Sequence, residues 1–242
     1  MRVVFFEPNN AVQSVVTTMP RGILRRFSKK ARLLLQQNWK AEELHLGNER
    51  WQRVSRLDLD RLFMEMEYWA GVPQHEKIGL NKDPGETFEE AVKLHHAARV
   101  LDVPISLDHL GGYIHRYMLN NALGPKQIRT IRELYHDNSQ IMWAMVKTTV
   151  AHYQLNHGSK HYWNTLCQYF GSDEELNRWY QDEETRLEKD GPTARQLKME
   201  ANMDIWAEIR RALAPGLSGN QVTKGMSTLP WHSFFLRMTL TS

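Results

Sequence analysis

Residues 87–118 read TFEEAVKLHHAARVLDVPISLDHLGGYIHRYM, and their spacing predicts two consecutive helices with a sharp corner between them. Thr87 and Glu90 form a capping box: the hydroxyl accepts from a free amide of the first turn, and the carboxylate reaches back to the amide of Thr87. Phe88, Ala91, Leu94, Ala98 and Leu101 recur three or four positions apart and so share one face. Pro104 ends the first helix, because a proline pushes the residue before it out of helical geometry. Ser106 is placed to cap the second helix, whose apolar stripe is Leu107, Leu110, Ile114, Tyr117 and Met118. All of these are packing signals.

Towards the N-terminus, Val3 to Phe6 is β-prone, Glu7-Pro8-Asn9-Asn10 is turn chemistry, and Ala11 to Thr18 returns to β-branched residues. That pattern predicts a hairpin. Residues 20–38, PRGILRRFSKKARLLLQQN, read as one helix with Ile23, Leu24, Phe27, Ala31, Leu34 and Leu35 inward. Arg53-Val54-Ser55 is a candidate short strand. A helix over 57–70 follows, with Leu59, Leu62, Phe63, Met66 and Trp69 inward, and stops at Gly71-Val72-Pro73. Residues 72–86, with two prolines and two glycines, read as a loop.

Towards the C-terminus, Gly124-Pro125 opens another helix, with proline at its favoured first position and Ile128, Ile131, Leu134 and Tyr135 inward. Asp137-Asn138-Ser139 breaks the chain before Met142, Met145, Val146, Val150 and Tyr153. Asn156 to Ser159 marks a change of character, followed by an aromatic cluster and an acidic helix over 174–190 that Ser172, with Glu175, would cap. A last helix is expected from about Thr193, with Leu197, Ala201, Ile205, Ile209 and Leu213 inward, and a mobile tail from Pro215.

In order along the chain, these segments resemble a BTB/POZ domain, in particular the divergent BTB-like proteins of filamentous fungi. Leu24 and Ser28 within MPRGILRRFSKKARLLL match the family's Leu-x-x-x-Ser pattern before an apolar helix. Trp69, Ala70 and Gly71 match its helix end of an aromatic, a small residue and glycine. ARVLDVPISLDHL matches the corner of its helical hairpin, and residues 124–155 resemble the helical extension that often follows the domain. The sequence departs from the family pattern at Met19-Pro20, where a histidine and aspartate are usual. The first strand is read at the very start of the sequence, where many family members carry an N-terminal element exchanged between partners, so a swapped dimer is not expected.

The resemblance implies an α+β fold: a small, mostly N-terminal β-sheet capped by helical hairpins, then a helical extension. The expected divisions are 1–122 for the BTB-like part, 123–157 for the extension, 158–214 for a helical C-terminal region and 215–242 for the tail. It also implies a non-catalytic protein–protein interaction module that self-associates or serves as an adaptor to a ubiquitin ligase scaffold or a transcription complex.

Composition sets bounds on function. Apolar residues make up 41%, and eight each of Trp, Tyr and Phe supply large core pieces. A net charge of +3 is ordinary, and a sequence pI near 8.9 does not by itself imply nucleic acid. Cys167 is the single cysteine, which excludes an intramolecular disulfide and fits a reducing compartment. No signal peptide and no spanning apolar run is read, so an intracellular protein is expected, with nucleus and cytoplasm unseparated.

Candidate chemistry is sparse. Eleven histidines invite a search for metal sites. His157 and His161 have Gly158-Ser159 between them and no carboxylate at zinc-hydrolase spacing, while His95 and His96 point about 100° apart on a helix. His109 and His115 read as polar partners in helix packing. Cys167 reads as a small hydrophobe on a buried face with Leu166, Tyr169 and Phe170. Ser28 and Ser106 lack a glycine-flanked elbow. Gly111-Gly112, costing about 1 kcal/mol each relative to alanine, predicts a close helix crossing. No enzyme, metal or cofactor is therefore expected. The remaining candidate is the basic set Arg21, Arg25, Arg26, Lys29, Lys30 and Arg32, six cations in twelve residues. It would contact a partner surface, or phosphates of a nucleic acid with steep salt dependence.

Overall fold

Arg2–Glu7 (β1) and Asn10–Thr18 (β2) pair antiparallel, from Arg2 opposite Thr18 to Phe6 opposite Ser14, as the hairpin reading predicts. Glu43–His45 (β3) adds to the other side of β1 in parallel, giving the order β2-β1-β3. The central strand is covered on both faces: Val3, Val4 and Phe5 are all buried, which is why it reads as a continuous apolar run. Structure is described here, in a computed structural model, for residues 1–8, 10–47, 49–72, 80, 86–103, 107–135, 139–154 and 160–190.

The third strand is not where the sequence reading places it. Arg53-Val54-Ser55 follows a single 3₁₀ turn (Arg50–Gln52) and gives one ladder-like bond, Val54 N–H to the Phe6 carbonyl at 3.0 Å. Ser55 is already committed to the next helix, its hydroxyl accepting from the Asp58 amide at 3.3 Å. The segment is a helix entrance rather than a strand.

The stretch 20–38 also differs from the single helix expected. It forms Arg21–Phe27 (α1) and Lys29–Gln37 (α2), separated by Ser28 in an extended conformation. Ser28 is fully buried; its hydroxyl accepts from the Ala31 amide at 3.0 Å and donates to the Leu101 carbonyl at 2.6 Å. A serine that both caps the following helix and ties it to a distant carbonyl favours breaking the helix over continuing it.

Arg56–Gly71 (α3) leads to Phe88–Val100 (α4), where the capping box of Thr87 and Glu90 is present on both sides. α4 stops before Pro104 is reached. Val103 N–H donates to the Ala98 carbonyl and Asp102 N–H to the Arg99 carbonyl, with Asp102 at φ 55°. This is a Schellman ending in which aspartate takes the left-handed position usually given to glycine. Lys29 N–H donates to the Asp102 carbonyl at 2.8 Å, so the end of α4 and the start of α2 are fastened at two adjacent points.

Leu107–Asn120 (α5), Pro125–Leu134 (α6), Gln140–Gln154 (α7), Lys160–Gly171 (α8) and Glu174–Asp190 (α9) complete the described elements. Proline opens α6 as predicted, and the Gly124 amide is satisfied by Gln127 Oε1 at 2.9 Å. Ser139 caps α7 through the Met142 amide. The cap of α9 is Asp173, whose carboxylate accepts from the Leu176 amide at 3.0 Å; Ser172 instead donates to the Tyr169 carbonyl. The proposed Ser106 cap, His157, the helix from Thr193 and the tail from Pro215 all lie outside the described residues.

The result is a mixed α+β protein, mostly helical, with its small sheet near the N-terminus. A single apolar cluster runs from Val3 and Phe5 through Leu24, Leu94, Ile114 and Met145 to Leu187. α4 lies at its centre. Where α5 crosses it, a Cβ added to Gly111 would lie 3.2 Å from His95 Nε2, whereas one on Gly112 would meet nothing within 4 Å. Only the first glycine serves the close crossing.

Candidate functional site

The basic set is brought together on α1 and α2, and four of its six side chains bond to the protein's own carbonyls. Arg21 donates to the Trp39 and Ala41 carbonyls at 2.8 and 2.9 Å. Arg26 donates to the Ala70 carbonyl and stacks its guanidinium 5.0 Å over Phe27. Lys30 donates to the Leu46 carbonyl at 2.9 Å, and Arg32 reaches the carbonyls of Arg25 and Arg26. Among the described residues, Arg25 and Lys29 are the two of the six without such a bond; both are exposed. Burial lowers the Lys30 ammonium from its ordinary value, with Asp102 acting in the opposite sense. The carbonyls these side chains cover belong to the irregular segments after α2 and after β3 and to the ends of helices, where the backbone lacks regular partners.

The two adjacent histidines of α4 are both buried, and each has a polar partner. His95 Nδ1 lies 2.6 Å from the Tyr135 hydroxyl, which also reaches the Val92 carbonyl at 3.3 Å. His96 Nε2–H donates to the Arg53 carbonyl at 3.0 Å. Burial, reinforced by Arg99, pushes the His95 imidazole down to about 3. Burial takes His96 down to about 4 against the pull of its bond to Arg53. Both are neutral at physiological pH. A third buried histidine, His152, bonds to the Met118 carbonyl at 3.0 Å.

Other sequence candidates separate in space. Among the described residues, no three His, Cys, Asp or Glu side chains gather as a metal site. Cys167 is exposed on α8, contrary to the buried face expected, because the inward positions of that helix are Trp163, Leu166 and Phe170. Partial desolvation of its sulfur by neighbouring side chains, and then the charge of Glu184, raise its thiol, which keeps it protonated rather than activated. The acidic helix α9 is only partly a solvated face. Arg132 of α6 donates to Asp173 at 3.0 Å and to Glu175 at 2.6 Å, with its guanidinium 5.0 Å over Trp179.

The feature missed in the sequence is the outward face of α3. Leu57 is 82% exposed, Met64 65% and Tyr68 71%, with Arg61 and Glu65 beside them. At 100° per residue, positions 57, 64 and 68 fall within about 40° of one another. Arg61 is held by a paired contact to the Glu86 carboxylate. The signal was legible as a second apolar spacing of seven and four, out of phase with Leu59, Leu62, Met66 and Trp69.

Compared with known proteins, the chain matches no family model, no curated protein and no solved structure. Among the described residues, no helix is long and apolar enough to cross a membrane.

Proposed function

We propose that the protein is a non-catalytic, intracellular protein–protein interaction module whose first part is BTB/POZ-like, acting by self-association or as an adaptor. The observation that carries this reading is the α3 stripe of Leu57, Met64 and Tyr68. Single exposed apolar side chains are ordinary on a protein surface, but three aligned on one helical face with charges at their edge resemble an interface core with a polar rim. Tyrosine and methionine are among the residues enriched at such cores. Support for the BTB-like class comes from the small N-terminal sheet, the Leu24–Ser28 segment fastened to the end of α4, and the α4–α5 hairpin. The nucleic-acid reading has less behind it, since four of the six cations give hydrogens to the protein's own carbonyls.

The test compares the wild-type chain with a Leu57→Glu/Tyr68→Glu double variant by sedimentation velocity and by pull-down from cell extract. Both positions are exposed, so the double variant is expected to keep its circular dichroism spectrum. Loss of concentration-dependent association, or of specifically recovered proteins, in the variant alone supports the reading. Identical sedimentation and identical recovered proteins for the two chains would overturn it.

A further inference from the structure

A cleft of about 210 Å³ opens where α2, the segment after β3 and the end of α6 meet α4. It shares no lining residue with the α3 stripe, so nothing below depends on that reading. Leu46 and Val100 supply aliphatic wall, Tyr135 and the partly exposed indole of Trp51 supply aromatic wall, and Lys30 and Arg99 supply charge. The Arg99 guanidinium sits 5.5 Å from the centre of the Tyr135 ring. Lys30 spends one hydrogen on the Leu46 carbonyl and keeps two.

Among the described residues, no carboxylate lines this cleft, and neither Lys30 nor Arg99 forms an ion pair. Asp102 acts on Lys30 electrostatically but is not part of the lining. Unpaired cations are common on convex surfaces, where water solvates them fully. Two lining one concave wall that is about half apolar leave a positive potential that an anion can neutralise. The volume sets the size of that anion. Pockets for drug-sized ligands run from about 300 Å³ upward, so this one suits a single side chain or a compact small molecule.

We propose that the cleft binds an oxyanion, carboxylate or phosphate, carried on an aromatic ring, with the ring against Trp51 and the anion between Lys30 and Arg99. The group can come from a free aryl acid or from a modified or terminal residue of a protein segment; the chemistry recognised is the same.

Calorimetric titration of the full chain tests this with benzoate, phenyl phosphate, benzamide and a short phosphotyrosine peptide. Benzoate or phenyl phosphate is expected to bind with an affinity that falls as salt rises, and neutral benzamide is not. Arg99→Gln, at an exposed position, and Lys30→Gln are each expected to weaken binding about tenfold or more, the loss of one charge-assisted hydrogen bond. Arg25→Gln, outside the cleft, is expected to leave it unchanged. A phosphotyrosine peptide binding more tightly than phenyl phosphate assigns the site to a protein segment; equal affinities assign it to a free aryl anion. No binding by either oxyanion, or binding that survives Arg99→Gln with the fold intact, overturns the proposal.

Discussion

α4 carries two histidines into the core, whereas α3 carries Leu57, Met64 and Tyr68 out to solvent. The two helices invert the usual arrangement in opposite directions, and the difference lies in what answers each inversion. On α4 every exception has a partner: the Tyr135 hydroxyl for His95, and the Arg53 carbonyl for His96. An unpartnered buried imidazole would cost far more than its burial returns, so such a pair persists only with these bonds in place. The stripe on α3 has no comparable internal answer among the described residues. Buried polarity here is answered within the fold; the exposed apolar stripe is the surface of the proposed contact.

Acid should separate the two regions most strongly. Both histidines are held neutral in the folded chain, at about 3 and about 4, while the unfolded chain takes up protons from its ordinary value of 6.5. Stability is therefore full above pH 6.5 and falls as the pH drops below it. The expected loss is about 1.4 kcal/mol per pH unit for each histidine, down to their folded values. Asp58 and Glu184, raised by burial, oppose this slope because they take up protons more readily when folded. Urea midpoints measured at several values between pH 7.5 and pH 4.5 check the sum. A flat profile would mean that the imidazoles are not buried in the neutral form.

Removing a partner should act next. Tyr135→Phe leaves His95 without its hydroxyl and is expected to destabilise by about 1–3 kcal/mol at neutral pH. Tyr68→Phe on α3 should be silent in the same denaturation assay. If both are silent, α4 does not depend on its hydrogen bonds in the way described. Ser28→Ala removes both the cap of α2 and the link to Leu101, with an expected cost of about 1–2 kcal/mol. Ser28→Thr distinguishes hydroxyl chemistry from packing, because it keeps the hydroxyl but must fit a methyl into a fully buried site.

The smallest effects discriminate most finely. Gly112→Ala fills open space in a helix and should stabilise by about 0.5–1 kcal/mol. Gly111→Ala must displace His95, which Tyr135 holds, and should be the less stable of the two in thermal unfolding. On α3, Met64→Gln should change stability by no more than about 0.5 kcal/mol while weakening any association. A large loss of stability there would place Met64 in the fold rather than at its contact surface.

Much of the architecture was legible because it depends on local chemistry. The hairpin, the capping box of Thr87 and Glu90, the proline opening α6 and the inward stripes of α3 and α6 all appear as read. The misreadings share one cause. Ser28 breaks a helix because the Leu101 carbonyl, 73 positions away, accepts a hydrogen bond from its hydroxyl. β3 is only three residues long and exists because β1 offers it a free edge. Asp173 rather than Ser172 caps α9, beside an arginine from α6. Distant partners, invisible to spacing, made each choice.

The same division holds for the candidate sites. Sequence alone determined that six cations cluster near the N-terminus and that metal-ligand and nucleophile motifs are sparse, since residue type and spacing set those. Tertiary structure decided that four of the six cations turn to the protein's own carbonyls, and that Lys30 meets Arg99 and Trp51 across a cleft. It also decided that Leu57, Met64 and Tyr68 are left exposed. A side chain's hydrogen-bond partners and its share of solvent are properties of what packs against it, and the packing is fixed only when distant segments meet.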